Sequence, residues 1–244
     1  MAARSTLSSV TYCQRYKRVN IHTVGCGLNC KGCIYKLRER ENRKRVEAGV
    51  TVETVEKVLR RLDVRRVHFL GGEPTICPEL GPIAEFCHEE LGVRTKIGHS
   101  AGLKMPPNNI DEMNFTIKAV SDSLHREYTG SSNREILKNF RGVYKRGIHL
   151  SANTVLIPGF VDVWEVERIA GFIADIDPGI PLHITGYIPV PGTPWRAPHP
   201  EEMEKAKKVA ENHLETVTTS LFRSMDEYSR IKSMDPRYGS VRVV

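Results

Sequence analysis

The chain has 244 residues, 40% of them hydrophobic and 27% charged, with a formal net charge of +7; that is long enough for one large α/β domain. Six cysteines lie far below the density of a disulfide scaffold. The opening MAARSTLSSVTYCQRYKRVN lacks the continuous apolar core of a signal peptide, and no run approaches a membrane span, so a cytoplasmic protein in a reducing compartment is expected.

A first strand is read in RVNIHTVG from Arg18, ending at the string HTVGCGLNCKGCIYK. Cys26, Cys30 and Cys33 within it can hold three corners of one iron–sulfur cube. Such a cube takes four ligands, so one iron is left open for an exogenous ligand. Zinc is the alternative, with a partner sought at His22, Cys13 or Cys77, although none stands at a knuckle-like spacing. Helical patterns follow from Tyr35 to Leu62, with a break at AGVT. The charge-dense YKLRERENRKR, Tyr35 to Arg45, reads as a solvated helix face; docking of an acidic partner, an electron donor or a substrate protein, is its functional alternative. Aromatics are 7% of the chain and do not interleave with these bases, which disfavours nucleic acid as a partner.

RRVHFLGG gives the second strand, running into Gly71, Gly72 and Glu73. Glycines there let a ligand approach the backbone, while GGEP alone is a plain exit from a strand. After a helix through PIAEFCHEEL, VRTKIGHS forms the third strand and ends at Ser100. EMNFTIKAV, the fourth, carries Thr116 and Lys118. A helical stretch from DSLHREYTG leads to the fifth, IHLSANTVLIPG, with Asn153. VWEVERIAGFIADI is helix, PLHITGYIPV is the sixth strand with His183, and PEEMEKAKKVAENHLETV is a closing amphipathic helix. The tail after Leu221 reads as an accessory strap.

Six apolar strands each followed by helix imply a parallel sheet with right-handed crossovers. The marked residues fall toward the C-terminal ends of their strands, the edge where such folds bind ligands. Each also has a bland reading. His183 suits a satisfied core histidine, Ser100 a turn hydroxyl, and an outward Lys118 a solvated surface, whereas an inward Lys118 needs an anion. Cys13, Cys77 and Cys87 read as structural, with Cys77 of interest because it follows GGEPT.

C-x3-C-x2-C followed by Gly71-Gly72-Glu73 resembles the radical S-adenosylmethionine (SAM) superfamily. TIKAVSDSLHREYTGSSNREILKN, TVLIPGFVD and LHITGYIPVPGTP, in that order, resemble its glycyl-radical-enzyme activating enzymes, typified by the pyruvate formate-lyase activating enzyme. The likeness runs from about residue 18 to about 197. It implies a partial (β/α)6 barrel in a single domain over 1–244, with the C-terminal helix and tail at 198–244. It also implies a single [4Fe-4S] cluster on Cys26, Cys30 and Cys33, with SAM chelating the open iron. Gly71, Gly72 and Glu73 would hold the SAM amino end, Ser100 its sugar or carboxylate region, and His183 the nucleoside side; Lys118 would contribute a cation to its carboxylate or the site's hydrogen-bond network, and Asn153 would also belong to the SAM site. A flavodoxin or ferredoxin would supply an electron, SAM would be cleaved to a 5′-deoxyadenosyl radical, and hydrogen would be taken from a protein glycine or another protein site.

Three positions depart from the activating-enzyme pattern. Gly32 stands where those enzymes carry an aromatic beside the adenine, Thr116 replaces the acid of D-L-K, and Asn153 replaces an arginine. Two further readings remain: the same cofactors acting on a small molecule, as in 7-carboxy-7-deazaguanine synthase, and a non-catalytic iron–sulfur electron carrier. Nucleic-acid modification, as in wybutosine synthesis, carries little weight.

Overall fold

A computed structural model describes residues 6–35 and 50–244. Its strands are β1 (Leu7–Cys13), β2 (Arg18–Thr23), β3 (Arg66–Gly71), β4 (Arg94–Ser100), β5 (Glu112–Thr116), β6 (His149–Leu156), β7 (Leu182–Gly186), β8 (Val217–Ser220) and β9 (Val241–Arg242). Its helices are α1 (Val52–Arg61), α2 (Leu80–Glu89), α3 (Asp122–Thr129), α4 (Arg134–Lys145), α5 (Val163–Ala174), α6 (Pro200–Glu211) and α7 (Met225–Met234). The architecture is α/β, rich in parallel pairing and not closed. The chain forms two compact units, one from residues 1–27, 35–113 and 231–244, the other from 28–34 and 114–230.

In the first unit the strand order is β9-β1-β2-β3-β4. Parallel register sets Val19 beside Val67 and Ile21 beside Phe69, with Phe69 beside Ile97, and all five side chains are fully buried. Alternation then turns Asn20, His68 and Lys96 to the opposite face. Thr51 caps α1 by accepting from the Thr54 N–H (3.2 Å), and the helix buries Val55 and Leu59. Helix α2 contributes Leu80, Ile83, Ala84 and Cys87. Each such aliphatic side chain removed from water is worth about 1.5–3 kcal/mol.

In the second unit β6, β7 and β8 are parallel, with Ala152 beside Leu182 and Thr154 beside Ile184. Ala152, Thr154, Leu156, Leu182 and Ile184 are buried at 0–1% exposure, which leaves Asn153, His183 and Thr185 on the other face. α3 stops at Gly130, whose φ of +78° suits glycine at a helix end. α5 starts at Asp162, which accepts from Val163 N–H and Gly159 N–H (both 2.6 Å).

The six expected strands are β2 to β7. Three were not anticipated. β1 is hidden in a segment whose buried residues include Ser8 and Ser9. β8 begins at Val217, the last residue of the stretch expected to be the closing helix, which itself stops at Glu211. The tail forms α7 and then β9, which pairs antiparallel with β1. Of the helix expected before AGVT, and of the Tyr35–Arg45 charge run, all from residue 36 lies outside the described residues.

Candidate active site

The cysteine loop leaves β2 at Thr23, and the division between the two units follows Gly27, so Cys26 is described with the first unit and Cys30 and Cys33 with the second. Cys26 is exposed, Cys30 buried and Cys33 intermediate, and none of the three is in a disulfide among the described residues.

In the first unit the loop is seated on the end of β3. Gly72 N–H donates to Thr23 O (3.2 Å) and Glu73 N–H to Gly25 O (2.8 Å). A Cβ on Gly71 would stand 2.1 Å from Thr23 O, and one on Gly72 would stand 2.0 Å from Gly25 O. The glycine pair is therefore required by the close pass of the cysteine loop itself. The Glu73 carboxylate, 2% exposed, accepts from Thr75 N–H (3.2 Å), the Thr75 and Ser100 hydroxyls and Ala101 N–H (2.7 Å). Ser100 Oγ in turn accepts from Gly102 N–H (2.9 Å). Glu73 and Ser100, two expected ligand-binding residues, are thus brought together, and the carboxylate shapes the turn that leaves β4.

The remaining cysteines have settled surroundings. The Cys77 thiol donates to Glu79 (3.2 Å) and accepts from the Thr6 hydroxyl (3.0 Å); burial pushes its pKa up to about 11, which keeps it a thiol at neutral pH. Burial raises Cys87 to about 12. Cys13 is 1% exposed, and His22 Nε2 faces the Thr11 hydroxyl at 3.3 Å. These are the partners a zinc site would have recruited. Among the described residues no three His, Cys, Asp or Glu side chains converge as a single metal ion requires. A cubane needs no such convergence, since each thiolate binds its own iron.

In the second unit the loop pairs with the end of α3, Asn29 N–H donating to Thr129 O (2.9 Å) and Lys31 N–H to Tyr128 O (3.0 Å), while Cys33 N–H turns back within the loop to Cys30 O (3.3 Å). Cys30 and Cys33 pack among Tyr128, Phe160, Tyr187 and Trp195. Trp195 stacks on Phe160 with centroids 4.5 Å apart and meets Tyr128 and Tyr187 edge-on. A Cβ on Gly32 would lie 2.8 Å from the Tyr187 ring and 3.2 Å from the Tyr128 hydroxyl. The missing side chain at position 32 is therefore matched by an aromatic delivered from the end of β7. Sequence reasoning missed Tyr128, Tyr187 and Trp195, because their meeting with the cysteines is tertiary.

Asn153 and His183 are also brought together. Asn153 Nδ2 donates to His183 O (3.1 Å) and to Thr185 Oγ1 (3.2 Å). Both His183 ring nitrogens engage β8 hydroxyls, Nδ1 with Thr218 (2.8 Å) and Nε2 with Ser220 (2.9 Å), and burial lowers its pKa, favouring neutral imidazole. Thr218 and Ser220 were also missed, since they follow directly on a strong helical pattern and no strand was expected there. Lys118 follows β5 beside Asn153, whose carbonyl accepts from Ile117 N–H (2.9 Å). The loop after it is clamped by Glu165, fully buried, which accepts from Val120 N–H (2.6 Å), Ser121 N–H (2.9 Å) and the Ser121 hydroxyl. Asn133 Nδ2 adds bonds to Ala119 O (3.0 Å) and Val120 O (2.7 Å). Thr116, where the pattern has an acid, is buried at 6% exposure.

This α/β fold, with cysteines and ligand-binding candidates at strand ends, defines a class, and residues 20–173 match the radical SAM superfamily. The chain belongs to that superfamily, whose members use SAM and an iron–sulfur cluster. A Methanocaldococcus jannaschii protein provisionally named a glycyl-radical enzyme activating enzyme is 28% identical over 213 residues, 84% of this chain and 81% of its own. A domain of a pyruvate-formate lyase-activating enzyme from Bacteroides vulgatus matches with TM-score 0.52 and 23% identity, over 63% of this chain and 98% of its own. Streptococcus suis SuiB bound to its precursor peptide SuiA matches with TM-score 0.62 and 18% identity, over 90% of this chain and 50% of its own. At these identities the structural likenesses speak for the partial-barrel fold.

Proposed function

We propose that this protein is an activating-enzyme-type radical SAM oxidoreductase, holding a [4Fe-4S] cluster on Cys26, Cys30 and Cys33 and taking hydrogen from a site on a protein. The observation that carries this reading is the seat of the cysteine loop: Gly25 O meets Glu73 N–H where Gly72 has no Cβ, so the two signature motifs are one built unit. Three soft thiolates in one short loop also suit iron–sulfur ligation. When bound, cluster and SAM together supply one electron and a carbon-centred radical.

The chain's own groups have distinct tasks. The Gly71–Glu73 turn presents backbone at the SAM amino end, with Glu73 and Ser100 fixing the turn from behind. Lys118, half-buried, is hydrogen-bonded to no described residue and supplies a cation for the SAM carboxylate, on a loop held by Glu165. Asn153 and neutral His183 give a polar wall toward the nucleoside. The aromatic packing keeps water from the Cys30 sulfur and half covers Cys33. A protein substrate is favoured by the activating-enzyme relative, alike over most of both chains, and by the peptide-bound neighbour. The electron donor is a flavodoxin or ferredoxin.

Anaerobically reconstituted protein with dithionite and SAM should release 5′-deoxyadenosine, and Cys26→Ala, Cys30→Ala or Cys33→Ala should abolish release. Wild type with a full cluster that releases none rejects the proposal. Deuterium passing from a labelled protein glycine into 5′-deoxyadenosine supports a protein substrate; transfer solely from a small metabolite removes it.

A further inference from the structure

The Tyr128 side chain is buried with its hydroxyl at the bend of the cysteine loop. The residue is 3% exposed, its backbone carbonyl is taken by Lys31 N–H, and its hydroxyl bonds to no described residue. That hydroxyl lies 3.2 Å from where a Cβ on Gly32 would stand, at the bend of Cys30-Lys31-Gly32-Cys33. Tyr187, in the same packing, is the contrast. Its hydroxyl meets Thr193 Oγ1 (2.7 Å) and accepts from Val190 N–H (3.1 Å). Cys30 and Cys33, packed with Tyr128, bring sulfur acceptors to this bend.

We propose that Tyr128 is a positioning and tuning residue that donates a hydrogen bond to a sulfur of the cluster or of its Cys30 and Cys33 thiolates, and that glycine at 32 keeps the path of that bond open. The proposal rests on the reading that these cysteines hold the cluster. A donor on sulfur stabilises the reduced, more negative state, so it raises the reduction potential. Tyr128 thereby makes the cluster easier for an external donor to reduce.

The test compares wild type, Tyr128→Phe and Tyr187→Phe, reconstituted anaerobically, by redox titration and by pulsed EPR of the reduced cluster in H2O and D2O. Y128F should show a roughly tenfold lower reduced fraction at fixed solution potential, about 59 mV for a one-electron couple, and should lose an exchangeable-proton coupling that wild type and Y187F retain. An unchanged midpoint in a Y128F holding full iron and sulfide overturns the inference. So does wild type without any exchangeable proton coupled to its cluster, which covers the case of a Y128F that fails to load. If none of the three proteins takes up a cluster, the reading of the cysteines fails instead.

Discussion

Replacing Gly72 by alanine tests the seat of the cysteine loop. The new Cβ would be placed 2.0 Å from Gly25 O, and real Cβ atoms do not approach closer than 3.0 Å, so the carbonyl must retreat by 3.0 − 2.0 = 1.0 Å. The Glu73 N–H bond to that oxygen, 2.8 Å long, is then stretched to about 3.8 Å and lost. Overpacking costs about 1–3 kcal/mol and the hydrogen bond about 1 kcal/mol, so G72A should lose about 2–4 kcal/mol in urea unfolding of the apoprotein. It should also bind less iron and sulfide per chain after reconstitution. Gly81, in α2 with its nearest neighbour 4.0 Å from an added Cβ, is the control: G81A should be neutral or stabilising by about 0.5–1 kcal/mol. A G72A protein as stable as wild type and fully loaded would refute the argument that the loop packs against this glycine.

Three further outcomes are expected. Gly32→Ala should cost about 1–3 kcal/mol against the Tyr187 ring, and combining it with Tyr187→Leu should recover at least about 0.5 kcal/mol of the summed loss; strict additivity would contradict the contact. His68 has its pKa lowered to about 3, first by burial and then by Arg18, Lys96 and Arg66. Because the folded value lies below the unfolded one, the unfolded chain binds the extra proton, and stability is complete above about pH 6.5 and falls toward pH 3 by up to about 1.4 kcal/mol per pH unit. His68→Leu should flatten that slope in a urea–pH series, and an unaltered slope would argue against it. Lys118→Met should leave unfolding within about 0.5 kcal/mol while weakening SAM binding to the reconstituted protein by about tenfold, or 1.4 kcal/mol; unchanged affinity would remove Lys118 from the site.

Strands β2 to β7 could be read in advance because each presents apolar residues at alternate positions and ends in a marked turn. β1 could not, since Ser8 and Ser9 fill buried positions and the Ser8 hydroxyl is satisfied by His22 O (3.0 Å), a pairing that no local pattern announces. β8 has one buried apolar residue, Val217, behind a strong helical pattern. At the site, the cysteines and the Gly-Gly-Glu turn were visible as motifs. The reason for the glycines was not. They were expected to admit a ligand, and the structure shows that they also make room for the neighbouring loop. Gly32 looked like a missing aromatic, and the ring that fills its space comes from Tyr187, 155 positions along the chain. Such substitutions in space follow from strand register and leave no trace in spacing.

The two stretches of the cysteine loop are moored by main-chain bonds of the protein's own, Gly25 to the Glu73 amide on one side, Asn29 and Lys31 to the close of α3 on the other. Because both moorings are backbone atoms, replacing a cysteine by alanine or serine removes a sulfur without removing an anchor.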